Sequence, residues 1–497
     1  MKLDFSHPGK EYALKPTLLK TAQTLNLPYP REWDLQNLNL PPNWKEIFLK
    51  ELAKVLKRWR SVRLYLDICV HCGACADKCH YFLATLDPNN MPVKRSDLLR
   101  NIYRKYFTKW GRLADKLSGK DVELNEDYIR TLYIYAYQCS MCRRCAVFCP
   151  YGVDNADITM ASREVLSAIG LTPASLTVSI ANCEVTGNHI GMTPRGLLNA
   201  VSLLEEEIEE ETGVKVKVPI NKKGAEVLYV PPSADFRPGG PHWETFKGAI
   251  KFFHHIGLDY TLSTKASEGG NFGTWLNYEH MKKINRKVYE EAVRLGVKWI
   301  LGGECGHMYR VVQAFMATMN GDLAEKLEVP QSPFTGTVFE NAAATKVVHI
   351  MEFVADLFKH KRLDVDKSKN DKYVVTFSDS CNPARVMGLI EEPRYVIRQV
   401  CNNYVEMDPN VNREKTLCCG AGGGLLTGET LRLRLKAIKP KIDAIKATGA
   451  NYLALICAID KSAYDEYFIH YDMDVKVGGV IELVGNAINF VADNLRR

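Results

Sequence analysis

The chain has 497 residues, 46% of them hydrophobic and 25% charged, with a formal net charge of +7, which predicts roughly two to four folded domains and excludes a disordered chain. So small an excess of positive charge leaves no nucleic-acid footprint, and no apolar run reaches the about eighteen residues of a membrane-spanning helix. Fifteen cysteines, in a chain whose first residues lack the apolar core of a signal peptide, point to metal ligation rather than disulfides and to the cytoplasm.

Residues 1–40 carry Pro8, Pro16, Pro28 and Pro30 with little periodicity and are read as an arm. Trp44, Ile47, Phe48, Leu52, Val55, Leu56 and Trp59 then recur at helical spacing, with Lys45, Lys50, Lys54, Lys57, Arg58 and Arg60 around them. This basic amphipathic helix, which closes a first segment at 1–60, either packs on its own domain or lies on a membrane surface or membrane subunit.

Two runs follow, Cys69-x2-Cys72-x2-Cys75-x3-Cys79 and Cys139-x2-Cys142-x2-Cys145-x3-Cys149-Pro150. In this spacing three cysteines surround one cubane [4Fe-4S] cluster from a tight loop, while the fourth reaches the other cluster. Cys69, Cys72, Cys75 and Cys149 are therefore predicted to hold one cubane, and Cys139, Cys142, Cys145 and Cys79 the second. The threefold repetition argues against zinc, which needs four ligands in pairs. The runs resemble those of two-cluster bacterial ferredoxins, with His80 in place of the usual proline and an aromatic-rich helical insert at 81–138. The domain is placed at 61–170, ending in a helix near 156–169.

Residues 171–223 are read as a linker, in which Cys183 is a buried small hydrophobe and His189 a minor site candidate. From residue 224 the chain repeats itself: the strand at 226–230 matches that at 373–377, Ser267-Glu268-Gly269-Gly270-Asn271-Phe272-Gly273 matches Cys418-Cys419-Gly420-Ala421-Gly422-Gly423-Gly424, and the strand at 299–305 matches that at 452–457. Strands alternating with helices predict two α/β copies, 224–369 degenerate and 370–497 intact, related by a pseudo-twofold. The expected class is α+β / α/β, a helical two-cluster module followed by this pair.

The intact copy carries the densest chemistry. Adjacent side chains diverge on a helix or strand, so Cys418 and Cys419 converge on one object only from an irregular loop. Gly420, Gly422 and Gly423 admit positive φ and leave room for something bulky, and their spacing fits no phosphate loop. An iron–sulfur cluster fits best, with Cys381 and Cys457 at similar sequence distances on either side. The degenerate copy lacks the paired cysteines but keeps Gly303-Glu304-Cys305-Gly306-His307 at a strand end, where α/β folds bind ligands. Cys305 is thus a candidate ligand, substrate-side thiol or packing residue, and Glu304, His307 and Arg385 are candidates for supplying protons or positive charge.

Cys381, then Cys418-Cys419-Gly420, then Cys457 resembles the cysteine-rich CCG domain of heterodisulfide reductases. Asp460 stands where that family has a fifth cysteine, and carboxylate is a harder iron ligand than thiolate. The resemblance implies a noncubane [4Fe-4S] cluster on Cys381, Cys418, Cys419 and Cys457, with Asp460, Cys305 or nothing as the fifth ligand. Over roughly residues 60–490 the chain resembles the heterodisulfide reductase D type, and within it the K-type subunits of the Dsr membrane complex, or Hdr-like menaquinol-oxidising complex. That implies a disulfide or trisulfide reductase of dissimilatory sulfur metabolism, peripheral on the cytoplasmic face of the membrane. Its implied partners are a membrane cytochrome b-type subunit supplying quinol electrons, other subunits of the complex, and a DsrC-like two-cysteine protein as substrate. Two alternatives stay open: reduction of the coenzyme M–coenzyme B heterodisulfide, and electron transfer for a flavoprotein dehydrogenase.

Overall fold

The computed structural model describes residue 38 and residues 40–117, 122–267 and 272–490, so the expected arm lies almost wholly outside the described residues. The chain forms two compact units, each drawn from three stretches of sequence: Met1–Ala181, Phe272–Tyr278 and Leu417–Lys441 make the first, and Asn182–Asn271, Glu279–Thr416 and Ile442–Arg497 the second. This differs from a division into consecutive domains, because each α/β copy gives up a segment to the first unit, 272–278 from one and 417–441 from the other.

In the first unit, the helix Trp44–Arg58 buries Trp44, Phe48, Leu52, Val55 and Leu56 against the helix Asn155–Ala168. Of the two readings of this amphipathic stretch, own-domain packing is the one the structure shows. Arg58 Nη1 fixes the contact by donating to Glu164 at 2.6 Å. A second helix, Arg60–Ile68, delivers the chain to Cys69. The aromatic-rich insert folds as the helices His80–Thr85, Pro92–Phe107, Lys109–Leu117 and Glu126–Ala136. Pro92 sits in the first turn of the second of these, and the Asn125 side chain caps the last by accepting from Tyr128 N.

The second unit holds two parallel sheets. The first comprises β1 (Val227–Val230), β2 (Tyr260–Thr261), β3 (Trp299–Gly302) and β4 (Val347–His349), in the order β2-β1-β3-β4. The second comprises β5 (Val375–Phe377), β6 (Tyr452–Leu455) and β7 (Lys476–Gly479), in the order β5-β6-β7. Val227 pairs with Trp299 and Val375 with Tyr452, so the expected repeat is present in register. A lone parallel bridge between Val375 and Tyr404 stands where β2 flanks β1. Apart from the exposed Lys476, every strand residue is buried, as parallel sheets covered on both faces require.

The segment 171–223 is not a linker. It contains the helices Ala174–Thr186 and Pro194–Thr212, and the second buries Leu197, Val201, Leu204 and Ile208 in the core of the second unit. Their spacing of three and four residues makes an apolar stripe that the acidic run at its end masks in the sequence.

Candidate iron–sulfur site

The first unit gathers the eight ferredoxin-type cysteines around two cavities. One is lined by Cys69, Cys72, Cys75 and Cys149, the other by Cys79, Cys139, Cys142 and Cys145. The two loops turn alike: His71 and Gly73 have φ of 57° and 79°, and Met141 and Arg143, at the same offsets, 54° and 64°. Left-handed backbone at a non-glycine residue is unfavourable, and Arg143 is secured by an ion pair from Nε to Asp154 at 2.5 Å. The crossing of the fourth cysteine has a visible cause, since Arg144 Nη1 donates to Lys78 O at 3.0 Å and draws the residue before Cys79 to the second loop.

These surroundings fit [4Fe-4S] clusters. Burial pushes the Cys145 thiol well above its ordinary value, with Asp154, Cys139 and Cys79 adding to it, and burial also raises Cys75, against backbone N–H groups and with Cys69 and Cys149 adding. Four thiols so crowded repel one another as thiolates, and an iron core relieves the repulsion. Backbone N–H groups already point at sulfur, from Met141 to Cys139 at 3.4 Å and from Val153 to Cys149 at 3.3 Å. Burial opposes the charge of Arg95, yet the thiolates of Cys139, Cys79 and Cys145 outweigh it and raise its pKa.

The Cys-Cys-Gly loop is seated in this same unit. Cys418 and Cys419 are buried, Ser140 Oγ lies 3.3 Å from Cys418 Sγ, and Tyr81 Oη donates to Gly420 O. Arg163 clamps both loops, donating from Nη1 to Gly423 O at 2.6 Å and from Nη2 to Cys139 O at 2.8 Å. A Cβ on Gly423 would come within 2.8 Å of Cys139 O, and one on Gly424 within 2.5 Å of Leu176. The expectation that Gly423 makes room for a cofactor is thereby corrected: it makes room for the ferredoxin-type loop. Gly420 N donates to Cys418 Sγ at 3.3 Å and Ala421 N to Cys419 Sγ at 3.4 Å, an arrangement suited to ligating sulfur. A ring nitrogen of His80 and the sulfurs of Cys142 and Cys418 all lie within 4.8 Å of one another.

The second unit carries the remaining candidates at strand ends. Cys457 follows β6 and precedes the helix Ala458–His470, and Cys305 follows β3 and precedes the helix Gly306–Ala324. Burial, with the Asp460 carboxylate adding, pushes the Cys457 thiol up to about 12, although the N–H groups of Asp460, Gly306 and Ile459 oppose it. A Cβ on Gly306 would lie 3.3 Å from Cys457 Sγ and 2.8 Å from Pro383 Cδ, so the chain beside Cys305 runs against Cys457. Ser380 Oγ donates to Asp460 Oδ2 at 2.6 Å, which sets Asp460 next to the residue preceding Cys381.

Two candidates have other work. Glu304 is fully buried, 2.5 Å from Lys461 Nζ, and accepts from Ile481 N at 2.8 Å. Burial raises its pKa and Lys461 opposes the rise, so it joins the two strand-end helices rather than facing a substrate. Arg385 donates to Glu414 O at 2.8 Å and to Thr416 O, anchoring the approach to the Cys-Cys-Gly loop. His189 bonds Ser233 Oγ at 2.6 Å and Cys183 is buried. Glu268 and the side chain of His307 lie outside the described residues. The clamps Tyr81, Arg144 and Arg163 and the Glu304–Lys461 pair escape a reading of the sequence, because none of them has a spacing signature.

Fold and cysteines together define an iron–sulfur oxidoreductase in which a dicluster ferredoxin module is combined with a cysteine-rich α/β pair. Residues 65–153 match the 4Fe-4S dicluster domain and residues 375–459 the Cysteine-rich domain. The chain is 46% identical over 488 residues to the Hdr-like menaquinol oxidoreductase iron-sulfur subunit 2 of Archaeoglobus fulgidus, covering 93% of this chain and 86% of the relative. It is 41% identical to the corresponding iron-sulfur subunit of Archaeoglobus profundus, covering 98% and 91%. At 26% identity it also aligns with the D-type subunit of the dihydromethanophenazine:CoB–CoM heterodisulfide reductase of Methanosarcina acetivorans, covering 85% and 94%. The chain belongs to the Hdr-like menaquinol oxidoreductase iron–sulfur subunits, relatives of the D-type subunits of heterodisulfide reductases. No helix among the described residues is long and apolar enough to cross a membrane.

Proposed function

We propose that the chain is the catalytic iron–sulfur subunit of a membrane-associated respiratory complex, taking electrons that originate in a quinol from a cytochrome b-type partner and reducing the disulfide or trisulfide of a DsrC-type two-cysteine protein. When bound, two cubanes on the eight ferredoxin-type cysteines and a noncubane [4Fe-4S] cluster supply one-electron transfer and disulfide cleavage. The noncubane ligand set, Cys381, Cys418, Cys419 and Cys457 with Asp460 or Cys305 as candidate fifth member, comes from the order of these residues in and beside the cysteine-rich match.

The observation that carries the proposal is that the Cys-Cys-Gly loop is built onto the second ferredoxin-type loop, with Ser140 Oγ 3.3 Å from Cys418 Sγ. The protein's own residues then have distinct tasks. Arg163 and Tyr81 hold the two loops in one position, backbone N–H groups at 420 and 421 steady the paired sulfurs, and the burial of Cys418 and Cys419 keeps water away. The eight ferredoxin-type cysteines form two complete ligand sets, which leaves binding of substrate sulfur to the cysteine-rich site. The chain is peripheral on the cytoplasmic face, held there by the other subunits.

The test is anaerobic purification of the intact complex, identification of its subunits, and addition of the oxidised two-cysteine partner or a dithiol. A paramagnetic signal distinct from the reduced cubanes should appear, and Cys418→Ala or Cys419→Ala should erase it while both cubane signals remain. An undiminished signal in those variants would move the chemistry elsewhere. Consumption of the coenzyme M–coenzyme B heterodisulfide in place of the protein disulfide would support the small-molecule reading, which the similarity to the Methanosarcina reductase favours.

A further inference from the structure

The two ferredoxin-type runs differ at the residue after the fourth cysteine: Pro150 follows Cys149, whereas His80 follows Cys79. His80 lines the cavity of Cys79, Cys139, Cys142 and Cys145, the one that adjoins the Cys-Cys-Gly loop. It is 4% exposed and opens the helix His80–Thr85. Its ring sits 4.3 Å, centroid to centroid, from that of Tyr81, the residue whose hydroxyl holds Gly420 O. One imidazole nitrogen, one sulfur of the second cavity (Cys142) and one sulfur of the Cys-Cys-Gly loop (Cys418) lie within 4.8 Å of one another. Pro150 has no N–H to donate, and the histidine at the other cavity, His71, is exposed and pairs with Asp97.

We propose that His80 is a positioning residue for electron passage between these two sulfurs, tuning and coupling the centres they ligate. This rests on the proposed function, in which both sets of cysteines hold clusters. Hydrogen bonds to cluster sulfur help set its reduction potential, because an N–H stabilises the more negative, reduced state. A neutral imidazole has a single N–H, so from this position it can be aimed at Cys142 or at Cys418 but not at both at once. When one electron leaves the Cys142 side and arrives on the Cys418 side, the donor that favoured the first centre becomes available to the second. No bond is made or broken in the protein, and the step is a one-electron oxidation of one centre with a one-electron reduction of the other.

The experiment uses the full chain with its clusters, prepared anaerobically as wild type, His80→Phe and His80→Asn. Phe keeps a planar ring without a donor, and Asn keeps an N–H. Iron per chain is measured first, followed by potentiometric titration monitored by electron paramagnetic resonance. Iron content should be unchanged in both variants. The cubane assigned to Cys79, Cys139, Cys142 and Cys145 should titrate at a lower potential in His80→Phe and return towards wild type in His80→Asn, while the cubane assigned to Cys69, Cys72, Cys75 and Cys149 stays put. Unchanged potentials in His80→Phe at full iron content would overturn the proposal. So would loss of iron in both variants, which would make His80 a requirement for holding a cluster. If wild-type protein lacks either cubane signal, the underlying reading fails instead.

Discussion

Replacing Glu304 by Gln removes the negative partner of a charge that has nowhere to go. Both side chains of the Glu304–Lys461 pair are fully inaccessible, and Lys461 retains Thr245 Oγ1, at 2.8 Å, as a neutral acceptor. Breaking a buried pair by removing one member costs about 3–5 kcal/mol, whereas replacing both members with apolar groups is close to neutral. In a unit as large as this one, about 2 °C of melting temperature accompanies each kcal/mol, so Glu304→Gln should lower the apparent Tm by roughly 6–10 °C. The anaerobic holoprotein would be scanned at one fixed rate, with hydrogen exchange followed by mass spectrometry over residues 299–306 and 458–482 as the local readout. Exchange there should accelerate in Glu304→Gln, and the double variant Glu304→Gln with Lys461→Met should recover most of both losses. A double variant no better than the single one would refute the buried-pair argument. Disulfide turnover that disappears in a stable double variant would return Glu304 to the role of proton donor.

The crossed cavities predict that Cys79→Ala and Cys142→Ala damage the same cubane and Cys72→Ala the other; spectra in which Cys79→Ala and Cys72→Ala lose a common cluster would contradict this. Gly423→Ala combines a left-handed φ of 66° with a Cβ 2.8 Å from Cys139 O, so it should loosen the Cys-Cys-Gly loop by about 1–2 kcal/mol or more, read as faster local hydrogen exchange. Gly428→Ala, with open space around its Cβ, should not. Burial holds the Cys401 thiol up at about 12, so in native protein it should resist alkylation at pH 9 and react once unfolded. Because the folded state keeps this proton after the unfolded thiol has lost its own, Cys401 also makes stability fall as pH rises between about 9 and about 12.

Local order was legible wherever chemistry or periodicity repeats. The crossed grouping of the ferredoxin-type cysteines follows from the three-residue spacing and the fourth ligand's offset, and the paired sheets follow from two similar series of apolar strands. What stayed hidden depends on contacts far apart in sequence. Arg163 and Tyr81 look like any helical residues, yet they grip carbonyls at 423 and 420. Glycines at 423 and 424 signal close approach, but the sequence does not say to what, and polypeptide rather than cofactor is the answer at both. Glu304 reads as chemically active because it stands beside Cys305, and its partner Lys461, 157 positions away, has no signature of its own.

The interleaving of the chain bears on how the protein is made. Both α/β copies lend a segment, residues 272–278 and 417–441, to the unit that begins with the ferredoxin-type runs. During synthesis all eight thiols of those runs have left the ribosome once residue 149 is clear, long before Leu425 and Leu433 arrive to pack on Tyr81. The late segment can therefore cover the module only after these thiols are already out. A fragment ending near residue 181 keeps every ferredoxin-type ligand but leaves the Tyr81 hydroxyl and the backbone at Cys139 and Ser140 without the loop that covers them, which makes it a poor stand-in for the whole chain in studies of cluster stability.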